Sequence, residues 1–435
     1  MRWLGIVFLA LLWALPARAE IKIQEVTSPG GIKAWLVEEP SIPFTALEIR
    51  FKGGASLDLP GKRGAVNLMT GLLEEGTGAM DARGFAEAVE GLAASFDYDA
   101  YDDSVAISAR FLTENRDAAV DLLRASLVAP SFEQSAIDRV RGQVLSSIRS
   151  DETDPNAMAG RRFDEIAFGD HPYASSLNGT VESVTALTRQ DMLDAHAGAL
   201  ARDRVYVGAA GDISAEQLGL LLDRLLGDLP ATGLPMPANV DVKMPGGTVV
   251  VPFDTPQSVA MFGHEGIDRH DPDFIPAYVL NTILGGGGFE ARLMTEVREK
   301  RGLTYGVYSY LIPKDHAALY IGQVASANDR VAEAMAVIRD EWTKMARDGV
   351  TEAELTQAKT YLTGSYALRF DGNSAIADIL VGMQLDDLTP DYVVHRNDMV
   401  NAVTEEDIRR VAARILKPEA LTFVVVGKPE GVQTQ

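Results

Sequence analysis

Two tandem α+β domains of related sequence, closed on each other like a clamshell, are the architecture this sequence predicts. Strand-like runs are separated by paired helices, neighbouring strands are hairpin-spaced, and no G-x-G-x-x-G follows a strand, so largely antiparallel sheets are expected. The two halves of the chain end alike, and a proline-rich stretch divides them. At 435 residues there is enough chain for two domains with cores of their own.

Residues 1–19 read as a secretory signal peptide. Met1-Arg2 is a short positive start, Leu4 to Leu15 is unbroken apolar sequence, and Ala17-Arg18-Ala19 is an A-x-A cleavage site. The apolar run of 12 residues, as helix, reaches about 18 Å against a hydrocarbon core of about 30 Å, so cleavage rather than anchoring is expected. The product is expected in the bacterial periplasm, or secreted, and no later stretch is apolar enough to span a bilayer.

The first domain is expected over residues 20–229. A strand runs from Phe44 to Lys52, a helix from Gly64 to Glu75 stops before Gly76, and a strand pair lies within Phe96 to Phe111. Ala119, Val120, Leu122, Leu123 and Leu127 fit the i, i+3, i+4 spacing of an amphipathic helix. After a helix from Ala215 to Leu229, the segment 230–246 is rich in proline and small residues and reads as an extended linker.

The second domain, 247–435, repeats the order: strand Ser258 to His264, helix Phe274 to Leu284 running into Gly285, strand pair Thr304 to Ser326. Val331, Ala334, Met335, Ile338 and Trp342 then mark a long amphipathic helix. Thr188-Arg-Gln-Asp191 and Thr404-Glu-Glu-Asp407 each open a helix, the hydroxyl capping free backbone N–H groups. Each leads to a strand ending in glycine, Gly211 or Gly427, 23 positions beyond the capping threonine in both halves. That equal offset is the mark of a duplication.

Composition removes several function classes. Forty Lys+Arg against 62 Asp+Glu give a formal charge of −22, which argues against a nucleic-acid groove. The absence of cysteine excludes disulfides, thiolate zinc sites, thiol nucleophiles and iron–sulfur clusters.

Four features could carry chemistry. Gly285, Gly286, Gly287 and Gly288 form an entropically costly run, read as a polypeptide-contacting loop in preference to a plain helix terminator. Asp97, Asp99, Asp102 and Asp103 lack the glycine and terminal glutamate of a calcium loop and read as a solvated hairpin. The histidines (His171, His196, His264, His270, His316, His395) include no i, i+4 pair, so structural or surface roles are expected, with His171-Pro-Tyr173 as a turn anchor. Arg298 is placed in the last turn of a helix capped by Gly302, and Tyr305 at the start of the next strand. A guanidinium and a phenol brought together there would offer donors to a peptide carbonyl or an oxyanion; an arginine capping its own helix beside a core tyrosine is the equally ordinary alternative.

The stretch Asn281-Thr-Ile-Leu-Gly-Gly-Gly-Gly288, continued through Leu293 to Arg301-Gly302-Leu-Thr-Tyr305-Gly-Val-Tyr-Ser309, resembles the second-domain signature of the M16 peptidases, the pitrilysin, insulinase and mitochondrial-processing-peptidase family. His171-Pro-Tyr173, Gly179-Thr180, Leu187 to Asp191 and the duplication are similar to it as well, and the short bacterial M16B branch is the nearest in kind. The resemblance implies two α/β-roll domains enclosing a chamber for unfolded peptides. It also implies a zinc site in the first half, H-x-x-E-H plus a distant glutamate. Here Asn67 and Gly71 stand at the histidine positions, Thr70 at the general base and Ser147, within Val144 to Ile148, at the third ligand. Glycine has no donor atom, and amide or hydroxyl oxygens bind zinc poorly beside imidazole or carboxylate, so no metal is expected on this chain; Glu74 and Glu75 alone do not rebuild a site.

The family's R-x6-Y pair is kept as Arg298 and Tyr305. Some M16B enzymes divide the work between a zinc-bearing chain and a zinc-free chain that supplies this pair, and the sequence resembles the second kind. The expectation is a zinc-free subunit that pairs with an H-x-x-E-H homologue, the zinc residing in that partner. Arg298 and Tyr305 would contact peptide substrate and transition state, and Gly285 to Gly288 would line its path. The rival expectation is a pseudopeptidase that binds peptides or scaffolds an assembly; a metallopeptidase with unrelated ligands ranks last.

Overall fold

Two mixed sheets, each backed by helices, account for the computed structural model, which describes residues 22–434; the signal-peptide reading lies outside the described residues. The first sheet contains β1 (Gln24–Thr27), β2 (Lys33–Glu38) and β3 (Phe44–Lys52). A separate short hairpin follows, β4 (Gly76–Thr77) with β5 (Met80–Asp81). The sheet then takes β6 (Ser95–Ala100), β7 (Ser104–Leu112) and β8 (Val205–Gly211), and its order is β1-β2-β8-β3-β7-β6. The second sheet is built from β9 (Gly247–Pro252), β10 (Gln257–Glu265), β11 (Val307–Lys314), β12 (Ala317–Ala327) and β13 (Thr422–Gly427), in the order β11-β12-β10-β13-β9.

Duplication is visible in the pairing. The succession β6-β7-β3-β8-β2 makes three antiparallel contacts and then one parallel contact, and β11-β12-β10-β13-β9 makes the same four in the same sequence. Both expected capping boxes are present: Asp191 N–H donates to Thr188 Oγ1 at 3.3 Å and Asp407 N–H to Thr404 Oγ1 at 3.1 Å, each reciprocated by the carboxylate.

Side chains two apart along a strand share a face, and this divides each strand between two cores. In β3, Leu47, Ile49 and Phe51 join Leu123, Leu127, Leu222 and Leu225 from helices of the first half. Ala46, on the opposite face, lies with Trp35, Val37 and Ala210 under Ile376, Ala377, Leu380 and Met383, from a helix (Asn373–Leu385) of the second half. The second sheet is covered in the mirror fashion. Phe262, Phe423 and Val425 face their own helices, whereas Val259, Val424 and Val426 are covered by Ala159, Phe163 and Ala167 of the first-half helix Pro155–Phe168. Each half lends one helix to the sheet of the other. The approach is close: a Cβ on Gly208 in β8 would lie 2.2 Å from the carbonyl oxygen of Ala377, so only glycine fits. Arg50 in β3 adds an ion pair to Asp378 of the visiting helix at 2.9 Å.

Several elements differ from expectation. The helix expected over Gly64 to Glu75 spans only Ala65–Thr70, because from Gly71 the chain tightens into i→i+3 turns that deliver it to Gly76, at φ +132°. The helix expected to reach Leu284 is regular only over Phe274–Asn281 and widens into π-helical turns at Thr282–Gly286. Residues 230–246 carry no helix or strand, and Val240, Val242 and Met244 pack against the second sheet as they cross. Among the described residues no helix is long and apolar enough to cross a membrane.

Beneath the second sheet Trp342, fully buried, donates from Nε1 to His264 Nε2 at 2.9 Å, and His264 Nδ1 bonds the Glu265 carbonyl at 2.6 Å. Burial pushes the imidazole down to about 4. The unfolded chain therefore binds a proton below about pH 6.5 that the folded chain refuses until about pH 4. Stability falls as the pH drops through that window, by on the order of 3 kcal/mol. Urea titrations at stepped pH should show this loss in the native chain and not in His264→Gln. Phe163→Ala, which empties the cross-half core, is expected to cost about 3–5 kcal/mol, read as a lower Tm of the whole chain.

Candidate functional site

The short helix Ala65–Thr70 is held at its start by Asp58, whose carboxylate accepts from Gly64 N–H at 2.8 Å and Val66 N–H at 2.9 Å. Burial pushes that carboxyl up to about 6, with the two backbone bonds and Arg63 pulling the other way. Of the positions that the resemblance assigns to metal chemistry, Asn67 and Thr70 are engaged otherwise, Gly71 carries no side chain and Ser147 is exposed. Asn67 Nδ2 donates to Asn178 Oδ1 at 3.0 Å, and Asn178 Nδ2 donates to Asp151 Oδ2 at 3.3 Å, a chain of amides ending on a carboxylate. Thr70 is buried and its hydroxyl donates to the Val66 carbonyl of its own helix at 2.8 Å. A Cβ on Gly71 would sit 3.2 Å from Val140 Cγ1 of the helix Gln134–Asp151, so a side chain there requires Val140 to give way by a few tenths of an ångström. Ser147 is exposed on the same helix. This donor set does not fit zinc: an amide bonded to a neighbouring amide, a hydroxyl spent on its own backbone, no side chain at Gly71, and at Ser147 only a hydroxyl.

The second-half residues are arranged differently. Gly285 is buried, and a Cβ on it would lie 2.3 Å from Ser309 Oγ and 2.8 Å from Ser309 N; its smallness serves the approach of helix to β11. Gly286 is exposed, and Gly287 and Gly288 are half-buried, Gly288 at φ +65°. Phe289 follows, exposed, and the Arg298 guanidinium lies over its ring at 4.8 Å. The glycine run and Arg298 are thus brought together through Phe289.

Arg298 sits in a second π-helical stretch, Met294–Glu299, closed by Gly302 at φ +61°, whose N–H donates to the Arg298 carbonyl at 2.8 Å. Glu296 takes Lys300 and Arg301, and among the described residues no carboxylate pairs with Arg298. Tyr305 does not begin the strand as expected: β11 starts at Val307, and Tyr305 occupies the turn before it. Thr304 Oγ1 donates to the Ala325 carbonyl at 2.7 Å and accepts from Gly306 N–H at 3.1 Å, which pins the backbone on both sides of Tyr305. The ring itself is 88% exposed. No hydrogen bond joins Arg298 to Tyr305, and among the described residues neither side chain bonds to another group. Both donors remain available, on a rigid base. The two π-helical stretches went unseen in the sequence; such turns gather at functional sites.

The acidic hairpin is not simply solvated. Asp102 pairs with Arg63 and with Lys314 of the second half, and Asp103 accepts from the Tyr173 hydroxyl and from Asp315 N–H at 3.2 Å. Its tip is a junction between halves. Tyr173 reaches it because His171 Nδ1 accepts from Tyr173 N–H at 3.2 Å, the turn anchor expected of His171-Pro-Tyr173. Asp164, missed in the sequence, lies in the same seam, where burial pushes its carboxyl up to about 7 and Lys314 only partly offsets this.

Comparison with known proteins agrees with this geometry. A family model described as Insulinase (Peptidase family M16) matches residues 33–181, and one described as Peptidase M16 inactive domain matches residues 186–362. The chain belongs to the M16 peptidase family. It is 28% identical over 333 residues to a protein of Helicobacter pylori called a non-peptidase homolog, covering 76% of this chain and 77% of that one. It is 26% identical to an uncharacterized zinc protease of Streptomyces coelicolor, over 91% of this chain and 87% of that one. Among solved structures, a peptidase M16 inactive domain from Pseudomonas fluorescens superposes with a TM-score of 0.89 at 28% identity, covering 95% of this chain and 99% of that one. A protease from Helicobacter pylori shares the fold, with a TM-score of 0.84 at 18% identity.

Since Gly285 abuts Ser309, Gly285→Ala is expected to force helix and strand apart and cost about 1–3 kcal/mol. Denaturant unfolding of the variant checks this.

Proposed function

We propose that this chain is the zinc-free subunit of a two-chain M16 peptidase, exported to the periplasm through a leader cleaved after Ala19. In this reading a homologue bearing H-x-x-E-H holds the zinc, and the present chain lends Arg298 and Tyr305 to peptide substrate and to the charge that develops on the scissile carbonyl. The observation that carries the reading is a contrast within one molecule. The positions for metal and base are filled by Asn67 and Thr70, tied to their own surroundings, by Gly71, which lacks a donor, and by an exposed Ser147, whereas Arg298 rests on Phe289 with no counter-ion and Tyr305 stands free on a pinned turn. The names of the relatives lend support on both sides, one a non-peptidase homolog and one a zinc protease.

Two donors aimed at a developing oxyanion act by electrostatic stabilisation, and loss of one such donor costs about 10²–10³ in kcat. The phenol supplies an O–H donor, and the guanidinium supplies a positive charge and a fork of N–H groups. Gly286 to Gly288, with no side chains, leave backbone open beside Arg298 for an extended peptide.

Mixing the purified chain with its zinc-bearing homologue tests the proposal. Neither chain alone is expected to reach the rate of the mixture, and Tyr305→Phe is expected to lower kcat of the mixture by about 10²–10³ while leaving assembly intact. Full activity of the zinc-bearing chain alone, or a mixture indifferent to Tyr305→Phe, would assign this chain instead to peptide binding or scaffolding without a hydrolytic role.

A further inference from the structure

A cavity of about 460 Å³ lies where the visiting helix Asn373–Leu385 meets the second half, between the helices Phe274–Asn281 and Tyr392–Ala402 and the edge strand β11. We propose that it binds a monocarboxylate with an aromatic or branched apolar body, the acid group held by Arg396 and Arg369 and the body against the rings of Tyr278, Tyr366 and Tyr392. This goes beyond the subunit role above and does not depend on it.

The charge count within the cavity points to an anion. Two carboxylates line it, and both are taken: Asp386 pairs with Arg269 at 2.7 Å and Asp378 with Arg50 of the first half at 2.9 Å. Two guanidiniums line it without a counter-ion. Arg396 is 5% exposed, donates from Nη1 to the Leu362 carbonyl at 2.7 Å and to Asn397 Oδ1 at 3.1 Å, and among the described residues pairs with no carboxylate. Arg369 is exposed at the mouth and has no hydrogen-bond partner among the described residues. A buried cation without a counter-charge is unfavourable, and here it persists in a chain whose formal charge is −22. A carboxylate is the group that complements a guanidinium with two parallel hydrogen bonds.

The rings do not favour the opposite sign. Arg396 lies over Tyr366 at 4.6 Å and Tyr278 at 5.8 Å, and Arg269 over Phe274 at 4.5 Å and Tyr392 at 5.8 Å, so a cationic ligand would meet like charge at each ring, whereas an apolar body would not. Of the two guanidiniums without a counter-ion only Arg396 is buried, so a ligand with a single negative charge is the one that fits. The volume is that of an ordinary small-ligand site, large enough for one aromatic side chain with its carboxyl group. Such a group is found on free aryl and branched-chain acids and on the carboxyl terminus of a peptide ending in an apolar residue.

Calorimetry on the isolated full chain separates these possibilities. With 3-phenylpropionate as the probe, binding is expected, and 3-phenylpropionamide, which keeps shape and loses charge, is expected to bind at least tenfold more weakly. Arg396→Gln and Arg369→Gln are each expected to weaken 3-phenylpropionate about tenfold or more. Should Arg396→Gln fail to fold, the exposed Arg369→Gln and the acid–amide contrast carry the test. Equal binding of acid and amide, no binding of either, or full affinity in Arg369→Gln overturns the proposal. N-acetyl-Ala-Ala-Phe binding more tightly than 3-phenylpropionate, with loss on amidation of its terminus, identifies the peptide carboxyl terminus as the source. Binding of 3-phenylpropionate without the peptide identifies a free acid. No zinc-bearing partner enters the measurement, so failure here leaves the subunit role untouched, and the reverse holds.

Discussion

Each sheet in this molecule is closed by a helix that belongs to the other half, and the remaining structure depends on that exchange. A strand with apolar residues on both faces needs two layers of cover. The first half supplies only one for Ala46, Trp35 and Val37, and the second supplies the other through Ile376, Ala377 and Leu380. Phe163 and Ala167 return the service at Val259, Val424 and Val426. The halves are therefore fixed relative to each other by core packing as well as by the chain that links them. The junction at Asp102 and Asp103 lies along the seam this creates, and the arginine-lined cavity lies within the second half, beside the helix it lends.

The polar groups of the short helix Ala65–Thr70 are spent on local structure. Asn67 is bound into a chain with Asn178 and Asp151, Thr70 bonds its own helix, and Val140 packs close beside Gly71. The polar groups among them are satisfied, as buried polar groups must be. The side chains of Arg298 and Tyr305 make no hydrogen bond or ion pair among the described residues. A guanidinium lying on an exposed phenylalanine and a phenol standing free above a pinned backbone have no evident part in stability.

Much of the fold could be read from local signals. The strand Phe44–Lys52, the two capping boxes and the equal offsets to Gly211 and Gly427 follow from periodicity and capping chemistry, which act over a few residues. The helix exchange could not be read this way. Phe163 and Leu380 lie on ordinary amphipathic faces, and nothing in such a face tells which sheet it will cover. The end of the helix at Thr70 was obscured because Leu72 and Leu73 continue the apolar pattern while the backbone has already tightened. Of the candidate site, the residue types at positions 67, 70, 71 and 147 were legible and their partners were not, since Asn178 and Val140 are distant in sequence. The cavity around Arg396 gave no signal: its residues come from separate helices and a strand, and no motif spans them.

The contact between Gly71 and Val140 sets terms for anyone installing a metal on this helix. A histidine at position 71 would press its Cβ to 3.2 Å from Val140 Cγ1, so the valine has to shift or be trimmed alongside it. A histidine at position 67 would give up the amide bond that Asn67 makes to Asn178. Placing two imidazoles here therefore asks for accompanying changes at Val140 and Asn178, and either exchange alone carries a structural cost without completing a ligand set.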